Sequence, residues 1–164
     1  MKQQDAFSPS VIMVAYLVRH GEAKPEAENP QRPLSERGRE GVERVARAVA
    51  KKGLVVNQIF HSDKVRARET AEILAHHLTP KCGICEIKGL APEDDPLIAK
   101  AELETAQSSL MLVGHLPHLG RLASLLVTGN PDVKEVDFAA AAIVCLSKQN
   151  GGWKISWGLD PSSA

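Results

Sequence analysis

Residues Tyr16–Ala23 read Y-L-V-R-H-G-E-A, and this stretch decides how the rest of the chain is interpreted. An apolar run, Val11–Val18, stops inside it and is followed at once by Arg-His-Gly-Glu. The run is rich in β-branched residues and does not alternate with polar ones, which is typical of a strand covered on both faces. Charged groups at the end of a buried strand add little to a core. We therefore expect this strand to hold them in a cleft.

The composition is that of an ordinary globular protein and argues against several functions. The chain has 164 residues, 43% hydrophobic and 24% charged, which suffices for one domain with a sizeable core. Its 20 Lys and Arg residues balance 20 Asp and Glu residues, so no overall charge attracts nucleic acid or an anionic membrane. The low aromatic content, 4%, argues against a base-stacking surface. We expect no nucleic acid or membrane partner, and any anion site must be local.

The sequence predicts a cytoplasmic protein. The run Val11–Val18 is too short to cross a bilayer. Asp5 and Pro9 before it and Arg19 after it do not fit a signal peptide. The cysteines form no disulfide framework, which favours a reducing compartment. They are Cys82, Cys85 and Cys145.

Strands and helices alternate along the rest of the chain. Strands are predicted at 11–18, 55–62, 84–90, 110–113, 139–146 and 153–159, and helices at 36–52, 63–78, 96–107 and from 117 to a stop at 129. This order predicts an α/β fold, a three-layer αβα sandwich with a mostly parallel sheet and an antiparallel edge strand. We expect a flexible N-terminal arm at 1–10 and a single domain at 11–164.

Capping residues mark the helix ends. Ser35 is a suitable N-cap for the first helix, and Gly53 suits the position after its end. Ser62 or Asp63 is expected to cap the second helix.

Polar residues follow three of the predicted strands. Arg19-His20-Gly21-Glu22 follows the first strand, Arg66 lies in the first turn of the helix after the second, and Gly114-His115 follows the strand at 110–113. Ligands of open α/β sheets bind beyond the C-terminal ends of the strands, so we expect these groups to converge. Two arginines, two histidines and helix N-termini would make a compact anion pocket.

The residue types suit phosphoryl chemistry. Arg19 and Arg66 each offer a planar fork that grips phosphate oxygens. Positive neighbours should lower the pKa of His20, and a neutral imidazole has the lone pair of a nucleophile. His115 can donate a hydrogen bond to a phosphoryl oxygen, and Gly21 leaves room for the ligand. No carboxylate cluster has the spacing of a Mg²⁺ site, so the arginines are expected to balance the phosphate charge.

Three motifs resemble those of the histidine phosphatase superfamily, which has the phosphoglycerate-mutase-like fold. Y-L-V-R-H-G-E-A resembles its signature, and H-S-D-K-V-R-A-R-E-T-A at 61–71 resembles the motif in which an arginine precedes Ala-x-x-Thr-Ala. V-G-H-L-P-H-L at 113–119 resembles its Gly-His-x-Pro motif. R-P-L-S-E-R-G at 32–38 resembles the segment that opens the first helix in short members. The short chain resembles most the SixA-like branch, the phosphohistidine phosphatases.

The resemblance implies a metal-independent phosphohydrolase without a cofactor. His20 would accept the phosphoryl group, and Arg19, Arg66 and His115 would complete the phosphate pocket. The expected substrate is phosphohistidine on a signalling protein. Two alternatives stay open: a phosphatase of small esters such as sugar or nucleotide phosphates, and a module that binds phosphorylated partners without catalysis.

The sequence departs from the family pattern at two places. Leu116 and His118 stand where the branch often has Asn and Gly. Pro92 stands where longer relatives carry a glutamate that acts as general acid. An ester leaving group needs a proton, whereas phosphohistidine can leave as neutral imidazole, so this absence favours phosphohistidine.

Several other side chains are candidates with weaker support. The general acid could still be Glu22, Glu93 or Asp94, and Glu22 comes first because it lies next to the nucleophile. His61 and His118 lie near the expected site and could contact substrate. The Cys82-x-x-Cys85 pair follows His76-His77, but adjacent histidines on a helix point about 100° apart and do not easily share one metal. We therefore expect no metal site there.

Overall fold

A six-stranded sheet between two layers of helices forms the described part of the chain. The computed structural model describes residues 13–164, and the predicted arm at 1–10 lies outside that range. The elements in chain order are β1 (Met13–Arg19), α1 (Glu36–Lys51), β2 (Gln58–His61), α2 (Val65–Leu78), β3 (Ile84–Glu86), α3 (Pro96–Thr105), β4 (Leu110–Gly114), α4 (His118–Thr128), β5 (Ile143–Gln149) and β6 (Gly152–Leu159).

The strand order across the sheet is β3-β2-β4-β1-β5-β6. The four strands β3, β2, β4 and β1 are parallel, β5 is antiparallel to β1, and β6 is antiparallel to β5. The predicted α/β class, a three-layer αβα sandwich with a mostly parallel sheet, is confirmed, and so is the antiparallel edge. Because β4 inserts between β2 and β1, the C-terminal ends of these three strands lie side by side.

Each face of the sheet has its own hydrophobic core. The helices α1 and α2 cover one face, and α3 and α4 cover the other. Strand β1 contributes to both, since Tyr16 and Val18 enter the first core while Ala15 and Leu17 enter the second. Burial on both faces explains why the sequence of β1 is continuously apolar.

Helix α1 begins against the chain that follows β1. Ser35 caps it as predicted, accepting the Gly38 N–H at 2.9 Å, and Gly53 follows its C-cap residue Lys52 with φ of 77°. A Cβ added to Gly38 would lie 1.9 Å from the Glu22 carbonyl oxygen. The glycine therefore allows the helix to approach the backbone just beyond β1.

Three strands are shorter than predicted. Strand β2 begins at Gln58 rather than at 55, and Val55 is 76% exposed. Strand β3 ends at Glu86 rather than at 90. Strand β5 begins at Ile143 rather than at 139, because the Ala142 N–H bonds to the Ala139 carbonyl and turns the chain. Apolar composition in these stretches does not distinguish a strand from the turn leading into it.

The predicted cap of the second helix is wrong. Helix α2 begins at Val65 with Lys64 as its N-cap, and no side chain caps it. The Asp63 carboxylate lies 3.7 Å from the Lys64 ammonium. The Ser62 hydroxyl instead contacts a histidine on the neighbouring strand end, as described below.

No helix within residues 13–164 is both long enough and apolar enough to traverse a lipid bilayer.

Candidate active site

The ends of β1, β2 and β4 bring the predicted polar groups together. Arg19 pairs with Gly114 in the register of β1 and β4, and the His20 N–H donates to the Gly114 carbonyl at 3.0 Å. On the other side of β4, the Ser62 N–H donates to the Val113 carbonyl at 3.3 Å. Residues distant in sequence thus meet at one edge of the sheet.

The two ring nitrogens of His20 face a backbone carbonyl and a guanidinium. Its Nδ1 lies 2.6 Å from the Gly21 carbonyl oxygen, which can only accept, so Nδ1 carries the proton when the ring is neutral. The other nitrogen, Nε2, then carries a lone pair that accepts a hydrogen bond from Arg66 Nε at 3.4 Å. The ring centroid is 5.0 Å from that of His115. His20 therefore presents a nucleophilic nitrogen beside a guanidinium and a second imidazole.

Burial and positive charge keep both histidines neutral. The pKa of His20 is lowered to about 4, chiefly by burial and also by the charges of Arg66, Arg19 and Arg32, against the opposing effect of the hydrogen bond to Gly21. Burial also lowers the pKa of His115 to about 3, with added repulsion from His20 and Arg66. At neutral pH neither ring carries a charge.

Arg19 and Arg66 flank the nucleophile from different elements. Arg19 donates from Nη1 to the Phe138 carbonyl at 2.8 Å, and its buried Nε has no hydrogen-bond partner within residues 13–164. Arg66 lies in the first turn of α2, where burial and the charge of Arg32 lower its pKa. A bound anion would relieve this repulsion and satisfy the free donors.

Thr70 ties α2 to the end of β1. Its hydroxyl accepts the Gly21 N–H at 3.1 Å and donates to the Arg66 carbonyl at 2.8 Å. Thr70 is fully buried. It therefore ties the position of Arg66 to the backbone that follows His20.

Arg32 is a site residue that sequence reasoning missed. Its charge lowers the pKa of both His20 and Arg66. Its φ is 49°, and its Nε donates to the Lys24 carbonyl at 3.1 Å. The only sequence signal was its place at the start of R-P-L-S. The "arginine–histidine cluster" below means Arg19, His20, Arg32, Arg66 and His115.

Two of the three acid candidates are engaged with other groups. The half-exposed Glu22 carboxylate accepts from the Ser35 hydroxyl at 3.3 Å and lies 3.7 Å from Arg37 Nε, both on the α1 side. Asp94 accepts the N–H groups of Gly89 and Ala91 at 3.1 and 3.0 Å. Glu93 is exposed. The role of Glu22 as general acid stays a prediction.

No side chain of the remaining candidates makes a hydrogen bond to the arginine–histidine cluster within residues 13–164. His61 is buried with Nδ1 2.8 Å from the Ser62 carbonyl, and His118 is fully buried with no hydrogen-bond partner for either ring nitrogen among the described residues. Cys82 and Cys85 are exposed. Over residues 13–164, no group of three or more His, Cys, Asp or Glu side chains is placed to hold a metal ion.

Acid should destabilise the protein through the buried histidines. The native pKa of His115 is about 3, below the ordinary value of 6.5, so the unfolded chain binds its proton more readily. The free energy of unfolding should therefore fall as the pH drops from 6.5 and level off below the native pKa. Urea unfolding at several pH values would measure this slope.

The matched variant for this pH series is His115→Asn, which removes the titrating ring. Its free energy of unfolding should fall less steeply between pH 6.5 and 4 than that of the wild type. Parallel curves for the two proteins would contradict the assignment of His115 as a buried neutral ring.

Comparison with known proteins places this arrangement in a family context. Residues 15–90 match the family model described as the histidine phosphatase superfamily (branch 1). An uncharacterised protein of Picosynechococcus is 37% identical over 125 residues, covering 71% of this chain and 74% of the relative. Human mitochondrial PGAM5, a serine/threonine-protein phosphatase, is 31% identical over 110 residues, 63% of this chain and 37% of that protein.

A solved structure extends the comparison to almost the full chain. The protein histidine phosphatase SixA complexed with tungstate superposes with a TM-score of 0.82. The alignment covers 92% of this chain and 98% of that one at 23% identity. At this level of identity the match supports the fold.

Proposed function

The chain belongs to the histidine phosphatase superfamily, and from this premise we propose that it dephosphorylates phosphohistidine on a protein through a phosphohistidine intermediate on His20. The observation that carries this proposal is the neutral His20 ring, whose unprotonated Nε2 accepts a hydrogen bond from Arg66 Nε at 3.4 Å and whose centroid lies 5.0 Å from that of His115. Such a nitrogen can attack phosphorus while neighbouring donors hold the phosphoryl oxygens.

The first step transfers the phosphoryl group to His20. Its Nε2 lone pair forms a new N–P bond as the P–N bond to the substrate imidazole breaks. The leaving nitrogen recovers its electron pair, and the ring departs neutral because its other nitrogen already carries a proton. The arginines balance the charge on the phosphoryl oxygens, and His115 donates a hydrogen bond to one of them.

The second step returns the enzyme to its starting state. Water attacks phosphorus, the N–P bond to His20 breaks, and Nε2 recovers its lone pair. The protons of the water leave with inorganic phosphate. Two displacements in sequence replace one difficult attack of water on the substrate.

The placement of the carboxylates supports phosphohistidine over phosphate esters. An alkoxide leaving group needs a proton from a positioned acid, which contributes about 10²- to 10⁴-fold to the rate. Glu22 and Asp94 are engaged with Ser35, Arg37 and backbone N–H groups. A neutral imidazole leaving group does not need such an acid.

Hydrolysis of phosphate esters is the competing function. The human relative that is named a serine/threonine-protein phosphatase favours it, because that name implies ester chemistry on the related sequence. If esters are the substrate, Glu22 is the first candidate for the acid.

A substrate panel tests the choice. The kcat/KM for a histidine-phosphorylated protein should exceed that for phosphoserine peptides, aryl phosphates and sugar phosphates by about 10²-fold or more. A general acid contributes at least about this factor to the rate, and the esters would react without one. Release of inorganic phosphate at pH 7 measures each rate. Faster turnover of any ester would reject phosphohistidine as the preferred substrate.

Glu22→Gln provides the internal control for this panel. If phosphohistidine is the substrate, the variant should retain its activity within a small factor, because the leaving imidazole needs no acid. A loss of about 10²-fold or more would place Glu22 as a general acid and favour the ester function.

A further inference from the structure

We propose that Ser62 is a positioning residue that selects the tautomer of His115 able to donate a proton to a phosphoryl oxygen. This inference rests on the proposed function, in which His115 stabilises the transferring group. The sequence predicted a different role for Ser62, as a helix cap, but Lys64 occupies the N-cap position of α2.

The contact between the two side chains is short and sheltered. The Ser62 Oγ lies 2.6 Å from His115 Nε2, and both residues are 1% exposed. Their backbones belong to adjacent strand ends, since the Ser62 N–H donates to the carbonyl of Val113 on β4. The sheet therefore fixes the position of the serine relative to the imidazole.

The surroundings of Ser62 set the direction of this hydrogen bond. Its Oγ can accept the Lys64 N–H at 3.3 Å. Within the part of the chain that is described, no acceptor other than His115 Nε2 makes a hydrogen bond with this hydroxyl. The hydroxyl proton therefore points to Nε2, which must then carry a lone pair.

A neutral imidazole carries one ring proton, so a lone pair on Nε2 places that proton on Nδ1. The buried Nδ1 atom of His115 has no hydrogen-bond partner within residues 13–164. An unpaired buried donor is costly unless a ligand satisfies it. The Nδ1–H group is thus the ring donor that has no protein partner among the described residues.

The tautomer matters because His115 works as a neutral ring. Burial holds its pKa at about 3, so protonating both nitrogens does not supply the donor at neutral pH. In the opposite tautomer, Nδ1 would turn a lone pair toward an anionic oxygen and repel it. Selection by Ser62 removes this unproductive form.

Nuclear magnetic resonance of the ring nitrogens tests the tautomer without any substrate. In the wild type at pH 7, the ¹⁵N spectrum should show His115 Nδ1 protonated and Nε2 unprotonated. Ser62→Thr should preserve this pattern, and Ser62→Ala should shift the population toward Nε2–H. Protonated Nε2 in the wild type, or an unchanged tautomer in Ser62→Ala, would overturn the proposal.

Kinetics test whether Ser62 acts through His115. Ser62→Ala should lower kcat by about 10- to 100-fold, as loss of a group that orients a functional histidine does, with little change in KM. Ser62→Thr should restore most of the rate. In a His115→Ala background, Ser62→Ala should have no further effect, because the ring that it orients is gone.

A second serine serves as the matched control. Ser109 also bonds a backbone N–H, that of Asn57 at 3.1 Å, but it precedes β4 at the opposite edge of the sheet. Ser109→Ala should retain wild-type kcat.

Independent, additive effects of Ser62→Ala and His115→Ala would overturn the positioning role. If the wild type released no phosphate from any substrate, the proposed function would fail, while the ¹⁵N spectrum would still decide the tautomer.

Discussion

Replacing His20 with alanine should abolish the covalent intermediate and lower turnover by about 10⁴-fold or more, the range seen when a catalytic nucleophile is removed. The reason is chemical, because Nε2 of His20 is the group proposed to form the bond to phosphorus. The arginines would still bind the anion, so the variant should retain substrate affinity.

Rapid quenching with ³²P-labelled phosphohistidine substrate measures this effect. The wild type should show acid-labile, base-stable label that maps to the peptide containing His20. The variant should show none. His76→Ala is the matched control, since His76 is an exposed histidine on α2 and its loss should leave the label unchanged.

The outcomes separate the competing mechanisms. Turnover by the wild type without any trapped label at His20 would contradict the covalent route. Binding of the phosphorylated protein without turnover or label would instead support the module that binds phosphorylated partners. Label that persists in His20→Ala would assign the nucleophile to another residue.

The sequence predicted the fold and the convergence of the site because both follow from local pattern. Strand β1 is buried on both faces, and its continuous apolar run indicated this directly. Parallel strands end at the same edge, so residues placed after β1, β2 and β4 were expected to meet. The structure brings His20, Arg66 and His115 together as this reasoning required.

The missed features depend on contacts between distant segments. Arg32 belongs to a loop that is attached to α2, because the Leu34 N–H donates to the Glu69 carboxylate at 2.9 Å. No local sequence pattern encodes this contact. Ser62 resembled a helix cap in sequence because serine is a good cap, yet its hydroxyl is used by His115 on another strand end. Local propensity was overridden in both places by tertiary structure.

Removing the guanidinium of Arg66 should lower kcat/KM by about 10²- to 10³-fold, the cost of losing one donor to a developing oxyanion. Arg66 Nε lies 3.4 Å from the attacking nitrogen of His20, so its fork is placed to hold the phosphoryl oxygens as they pass to that nitrogen. Arg66→Lys keeps the charge but loses the planar fork, and it should recover only part of the rate.

Arg68→Ala is the matched control for Arg66→Ala, because Arg68 lies two residues further along α2, is half exposed and has Nε 3.6 Å from Glu72. It should retain wild-type kcat/KM. Inhibition by tungstate, an oxyanion analogue of phosphate, should weaken in Arg66→Ala and stay unchanged in Arg68→Ala.

Helix α2 should remain folded in both variants, since its core contacts come from Ala67, Ala71 and Leu74. Unchanged turnover and unchanged tungstate inhibition in Arg66→Ala would remove Arg66 from the phosphate pocket.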